Sequence, residues 1–176
     1  ELYFENLRVP EDCRIGEEGK GFLGAMASLD QNRPMVAANA VGLARGAFET
    51  ALAYAKERKA FGKAIGEFQA IQHMLADMAM QIEAASALLY RCTTMIDEGS
   101  GDHNQVAALA SMAKCFTTDM CMKVTTDAVQ ILGASGYSRE YPVERYMRDA
   151  KVMQIYEGTN QIQRNIIAKR MLGLKG

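Results

Sequence analysis

Phe68, Ile71, Leu75, Met78, Ile82, Ala85 and Leu89 follow one another at alternating steps of three and four residues. A β-strand has a period of two and cannot use that spacing, whereas an α-helix gathers all of them onto one stripe. A stripe this narrow is the seam of a helix lying nearly parallel to its partners. Leu109, Met112, Phe116, Met120, Val124, Ala128 and Ile131 mark another long helix, which Gly133 can end. A further long helix runs from Pro34 to about Arg58. Its Ala37, Ala38, Ala40, Gly42, Ala44, Gly46 and Ala47 form a face of small side chains that lets a neighbouring helix approach closely.

Shorter elements close the set. Val143, Tyr146, Met147 and Ala150 recur at helical spacing behind Pro142, whose missing N–H costs nothing in a first turn. After a break at Glu157 and Gly158, Thr159 is the N-cap of a last helix carrying Ile162, Ile166, Ile167 and Met171. The expected fold is all-α, a four-helix-bundle-like domain. The methionines fall mostly in these seams and read as adaptable core filler.

The remaining stretches read as connections. Glu1 to Val9 forms an extended segment, Pro10 to Gly21 a loop, and Phe22 to Leu29 a short helix that Asp30 to Pro34 interrupts. Arg58 to Gly66 is a basic loop and Glu98 to Asn104 a turn.

With 176 residues the chain suffices for one domain with a sizeable core. Its 20 Lys and Arg against 21 Asp and Glu give no global pull toward nucleic acid or an anionic membrane. No apolar run approaches the roughly 20 residues of a membrane-spanning helix, and nothing at the start has the form of a signal or transit peptide. A soluble, intracellular protein is expected. Cys13, Cys92, Cys115 and Cys121 lack CxxC spacing and have only His73 and His103 beside them, so reduced, buried thiols are expected rather than a zinc site.

Glu157 is the first catalytic candidate. A carboxylate held in a break between helices, wedged between Tyr156 and a glycine, is partly desolvated and suited to general-base work, although most such turn carboxylates are solvated. The string YEGTNQIQR from Tyr156 to Arg164, with MRDAK from Met147 to Lys151 upstream, closely resembles the C-terminal signature of the acyl-CoA dehydrogenases. The likeness extends over nearly the whole chain. By that resemblance Glu157 is the base that removes the α-proton of an acyl-CoA thioester while a hydride leaves the β-carbon for N5 of FAD.

Other residues carry over in the same way. Within LDQNR, Asp30 and Arg33 match residues that border the acyl-CoA pocket, and Tyr156 joins them as a substrate-site residue. The isovaleryl and long-chain branches place the base one residue before that Arg, where this chain has Asn32. An amide cannot act as a base, so the pattern is similar to the short-, medium- and branched-short-chain members. Arg58, in ERKAFGK, matches the Arg that reaches the FAD pyrophosphate of a neighbouring protomer, and Phe68 and Gln69 lie by the same cofactor. Gln130, Ile131, Leu132, Gly133 and Ala134 also carry over as cofactor contacts, with Ala134 in place of the usual second Gly. A helix C-terminus is a poor anion site, so contacts there come from side chains and turn amides. Gly158, Thr159, Asn160 and Gln161 begin the last helix, whose N–H groups suit a phosphate or a flavin-linked hydroxyl.

The resemblance implies an FAD-dependent enzyme that converts acyl-CoA to trans-2-enoyl-CoA and passes electrons to an electron-transferring flavoprotein. It implies a homotetramer, a dimer of dimers, in a mitochondrial matrix or a bacterial cytoplasm. FENLRVP resembles the link that leaves the family's middle β-domain. Residues 1–20 then read as the end of that domain with its linker, residues 21–176 as the C-terminal helical domain, and the chain as a C-terminal fragment, inactive alone. An acyl-CoA oxidase on the same scaffold would share the base and hand electrons to oxygen. A non-catalytic helical assembly module would need none of Glu157, Arg58 and Gln130.

Overall fold

The computed structural model describes residues 1–174, apart from the side chains of Ala27 and Asp30. In chain order the elements are α1 (Gly21–Glu57), β1 (Lys59–Ala60), β2 (Lys63–Ala64), α2 (Gln69–Asp97), α3 (His103–Leu132), α4 (Ala134–Tyr137), α5 (Val143–Met153) and α6 (Asn160–Met171). The expected helical bundle is present, built on the long α1, α2 and α3.

The interruption expected at Asp30 to Pro34 is absent: α1 runs unbroken and Pro34 lies inside it. A proline in a helix interior removes one rung of the backbone ladder and crowds the turn before it, at a cost of about 3 kcal/mol. Burial outweighs that cost, because Arg33, Pro34, Val36 and Ala37 are all covered and Arg33 Nη1 donates to Ser111 Oγ of α3 at 3.3 Å. The small-residue face is present but narrower than read. Ala37, Ala40, Ala44, Ala47, Ala51 and Ala55 are buried, while Ala38 and Gly42 face outward.

Cross-contacts give the helix directions. Arg33 meets Ser111, the Cys121 thiol lies at the backbone of Ala44, and Tyr54 Oη donates to Ser135 Oγ at 3.3 Å. Position rises along both chains together, so α1 and α3 are parallel, with α2 returning between them. Buried at the Ala44 backbone, the Cys121 thiol is pushed up to about 12. The last two helices run the other way: Asn160 of α6 reaches Cys115 and Thr118, and Arg170 further along reaches back to Asn104. Gln154, at the end of α5, bonds Asp119 just before them. Helices α5 and α6 therefore act as one fourth helix, broken where Glu157 sits opposite the first half of α3.

Being surrounded, α3 is buried on several faces, from Ala107 to Leu132. Its start is fixed by a reciprocal cap, Gln105 N to Asp102 Oδ1 at 2.8 Å and Asp102 N to Gln105 Oε1 at 3.0 Å. The seam of α2 is buried at Met78, Ile82, Ala85 and Leu89, whereas Ile71 and Leu75 are half covered and Phe68 stands at the edge. Phe116, assigned to the α3 seam, is exposed. Helix α6 departs further from expectation. Ile162 and Met171 are exposed, and the side chains it buries are Asn160 and Gln163. Hydrogen bonding, not apolar burial, decides which face of α6 turns inward.

Cys92, Cys115 and Cys121 are buried and free, while Cys13 is exposed. Among the described residues there is no metal-ligating cluster and no helix long and apolar enough to cross a membrane. Residues 1–20 are exposed throughout, form a short 3-10 turn at Glu11–Cys13 and a further turn before Lys20, and pair with no strand among the described residues. At the other end of α3, Gly136 packs so tightly that an added Cβ would lie 2.7 Å from the Val129 carbonyl oxygen and 2.8 Å from Leu132 Cβ. Gly136→Ala is therefore expected to destabilise the protein by about 1–3 kcal/mol, the usual range for forced overpacking. Urea unfolding against the parent protein measures it.

Candidate active site

The break between α5 and α6 is short and heavily tied. Asn160 N donates to Gln154 O at 3.0 Å and closes the loop, and Thr159 Oγ1 accepts from Ile162 N at 3.3 Å as the expected cap of α6. Within the loop Glu157 has φ 55° and Gly158 has φ 87°. The left-handed region costs a non-glycine residue energy and persists only where the surroundings impose it. Gln163 supplies part of that imposition, its Nε2 donating to Glu157 O at 3.0 Å and Gly158 O at 3.1 Å. A Cβ at Gly158 would stand 2.6 Å from the same nitrogen, so glycine is required there twice over, for conformation and for space.

Helix α3 supplies the rest. Lys114 Nζ donates to Gly158 O at 2.9 Å and to Asn160 Oδ1 at 2.8 Å. The Asn160 amide turns its nitrogen to Thr118 Oγ1 at 2.9 Å and Asp119 Oδ1 at 2.7 Å. Asp119 also accepts from Gln154 Nε2 at 2.6 Å and pairs with Arg164 Nη2 at 2.6 Å, so one carboxylate holds both sides of the break. Burial pushes the Asp119 carboxyl up, but the donors from Arg164, Asn160 and Gln154 outweigh it and hold it below its ordinary range. Burial pulls the Lys114 ammonium down to about 8, with Arg33 adding to the effect and Cys115, Asp119 and Glu157 opposing it.

Glu157 itself is half-buried, and its Oε2 is shielded from solvent with no hydrogen-bond partner among the described residues. Tyr156 beside it is partly exposed, its phenol raised first by burial and then by the charge of Glu157. Arg33 comes from far away in sequence to Ser111, one helical turn before Lys114, and so reaches the same end of α3. The structure thus gathers Arg33, Tyr156, Glu157 and Gly158. Asp30 sits on α1 one turn before Pro34, its side chain lying outside the described residues.

The other candidates lie elsewhere. Arg58 is exposed at the end of α1 and opens a tight hairpin in which Lys59 pairs with Ala64 and Ala60 with Lys63. Its two-residue turn, Phe61 at φ 53° and Gly62 at φ 85°, has the primed geometry that suits strand twist and leaves Phe61 96% exposed. Phe68 meets Phe61 edge-on at 6.3 Å, with Lys63 Nζ 4.4 Å over its ring, and Gln69 follows exposed. Gln130, Gly133 and Ala134 are exposed at the end of α3, whereas the side chains of Ile131 and Leu132 are in the core. Of the last group, Thr159 caps α6, Gln161 is exposed, and the Asn160 side chain is spent on Lys114, Thr118 and Asp119. Gln130 lies sixteen residues beyond Lys114, roughly 24 Å along α3 at about 1.5 Å per residue.

Lys114, Thr118, Asp119 and Gln163 escaped the sequence reading. A signal was present: Ser111, Lys114, Thr118, Cys121 and Thr125 repeat the spacing of the apolar seam on the same helix. All of them are buried.

Residues 19–172 match the model of the acyl-CoA dehydrogenase C-terminal domain. The chain belongs to that family. It is 52% identical over 172 residues to a probable acyl-CoA dehydrogenase, FadE25, of Mycobacterium tuberculosis, covering 98% of this chain and 43% of the relative. The solved butyryl-CoA dehydrogenase of Megasphaera elsdenii superposes with a TM-score of 0.90 at 48% identity, over 96% of this chain and 43% of that one. A chain in a structure described as the electron transferring flavoprotein of Acidaminococcus fermentans gives a TM-score of 0.91 at 50% identity, with the same coverage of 96% and 43%. The chain therefore spans less than half the length of these relatives.

Because the Asp119 carboxyl is held below its ordinary value of 3.8, its contribution to stability is complete above that pH and is lost as pH falls through the native value. Asp119→Asn is expected to lower the urea midpoint at neutral pH, and the gap from the parent is expected to close below about pH 4. Midpoints measured across the acid range check this.

Proposed function

We propose that this chain supplies the base and part of the cofactor site of an FAD-dependent acyl-CoA dehydrogenase, which desaturates an acyl-CoA to its trans-2-enoyl product. The observation that carries the proposal is Glu157 Oε2, buried without a partner in a loop held in a strained conformation. An unpaired buried carboxylate oxygen costs stability, and such costs are found where function uses the group. The α-carbon of a thioester is a weak acid, and a base meets it best where water is excluded and the geometry is fixed beforehand. Glu157 takes the α-proton on its carboxylate, Tyr156 and the Arg33 end of α1 border the acyl group, and Gln163 and Lys114 keep the loop from relaxing.

The residues present fit FAD. Thr159 and Gln161 stand at the start of α6, where backbone N–H groups favour an anion or hydroxyl. Arg58, Lys59 and Lys63 with exposed Phe61 offer donors matched to a diphosphate and a face for a ring. When bound, FAD supplies the acceptor for the hydride that leaves the β-carbon. Arg58 and Gln130 match family residues that serve the cofactor of a neighbouring protomer, and the roughly 24 Å between Gln130 and Lys114 along α3 accords with that role; on this reading the protein works as a homotetramer built as a dimer of dimers. An electron-transferring flavoprotein takes the electrons, a reading that the relative from Acidaminococcus fermentans supports.

In the full-length protein, Glu157→Gln is expected to retain FAD and acyl-CoA binding and to lose flavin reduction by at least about 10²-fold, the contribution typical of a general base. Anaerobic stopped-flow absorbance reads this, and a rate near that of the parent would overturn the assignment. Asn32 lies on α1 next to Arg33, at the same end of the bundle. The pair Asn32→Glu with Glu157→Gly is therefore expected to recover part of the lost rate in the same assay.

A further inference from the structure

A lysine almost never loses all contact with water unless it is paired. Lys114 is 0% exposed, and it spends its ammonium on the two residues Gly158 and Asn160 that follow Glu157 in the break. We propose that Lys114 is the positioning residue for Glu157: it pins the left-handed turn that carries the carboxylate and places a positive charge beside it. The proposal rests on Glu157 being the base and adds the group through which α3 controls it.

Several observations favour this over a merely structural lysine. A methionine of similar length would fill the same space on α3 without the cost of burying a charge. Among the described residues the ammonium donates to two acceptors, both within three residues of Glu157. The left-handed turn of Glu157 and Gly158 is held by Gln163, which bonds both carbonyls, and by Lys114, which bonds the second. The charged and titratable groups around the ammonium are Arg33 on α1, Cys115 and Asp119 on α3, and Glu157 in the break. Asp119 is already committed to Arg164, Asn160 and Gln154, which leaves the turn that carries Glu157 as what Lys114 holds.

The test uses the full-length, FAD-loaded protein and the variants Lys114→Met, which removes donor and charge, and Lys114→Gln, which keeps a donor. Lys114→Met is expected to slow flavin reduction by an acyl-CoA about 10- to 100-fold, as misplacement of a catalytic group does. Lys114→Gln is expected to lose less. Hydrogen exchange in residues 155–161 accelerates in Lys114→Met while that in α1 does not change. In a Glu157→Gln background, Lys114→Gln adds less than about a twofold further loss, since a residue acting through Glu157 has nothing left to act on.

A parental rate with parental exchange in Lys114→Met overturns the proposal. So does an equal loss in both backgrounds, or failure of both Lys114 variants to assemble with FAD, since either makes Lys114 a general folding residue. If Glu157→Gln is inactive while Lys114→Met behaves as the parent, only the positioning role falls. If Glu157→Gln reduces its flavin normally, the base assignment falls and the positioning role with it.

Discussion

A buried ammonium with two oxygen acceptors holds the break between α5 and α6 against α3. Taking a lysine out of water is expensive, and the cost is met only when the geometry of its partners is good. In this protein the partners are a backbone carbonyl in a two-residue left-handed turn and a side-chain amide at the start of α6. Because α3 is surrounded by other helices, those groups cannot turn to water instead. The turn therefore has one arrangement, and the carboxylate it carries points to one place.

The same logic explains why the fourth helix of the bundle is broken. A continuous helix across α3 would have satisfied its own backbone and left the polar stripe of Ser111, Lys114, Thr118, Cys121 and Thr125 without outside acceptors. Breaking it frees the Gly158 carbonyl and exposes the first turn of α6 to Lys114 and Thr118. Asp119 then ties the end of α5 to the start of α6, so the break is bridged from both sides. A site on such a loop combines the irregular backbone that chemistry needs with the precision of the bundle.

Much of this was legible in the residues. The alternating spacing on α2 and α3 gave two helices and their inward faces, and Thr159 and Gly133 marked a start and a stop that the structure keeps. The motif around Glu157 gave the family. What was misread has a common cause. Pro34 looked like a helix start because propensity is local, while the burial that carries α1 through it comes from α3, far along the chain. Ile162 looked inward because hydrophobic periodicity assumes an apolar core, while α6 lies over a polar one.

Sequence by itself determined the helical class, the long helices, and the identity of the residues able to carry the chemistry, because periodicity and local motifs are properties of neighbouring residues. Only the tertiary structure decided that Arg33 and Glu157 share one end of α3, that Arg58 and Gln130 lie far from them, and that Lys114 stands behind the Glu157 turn. Those relations join residues tens of positions apart, and they arise from the parallel packing of α1 on α3 and from the need of buried polar groups for partners, which no local pattern encodes.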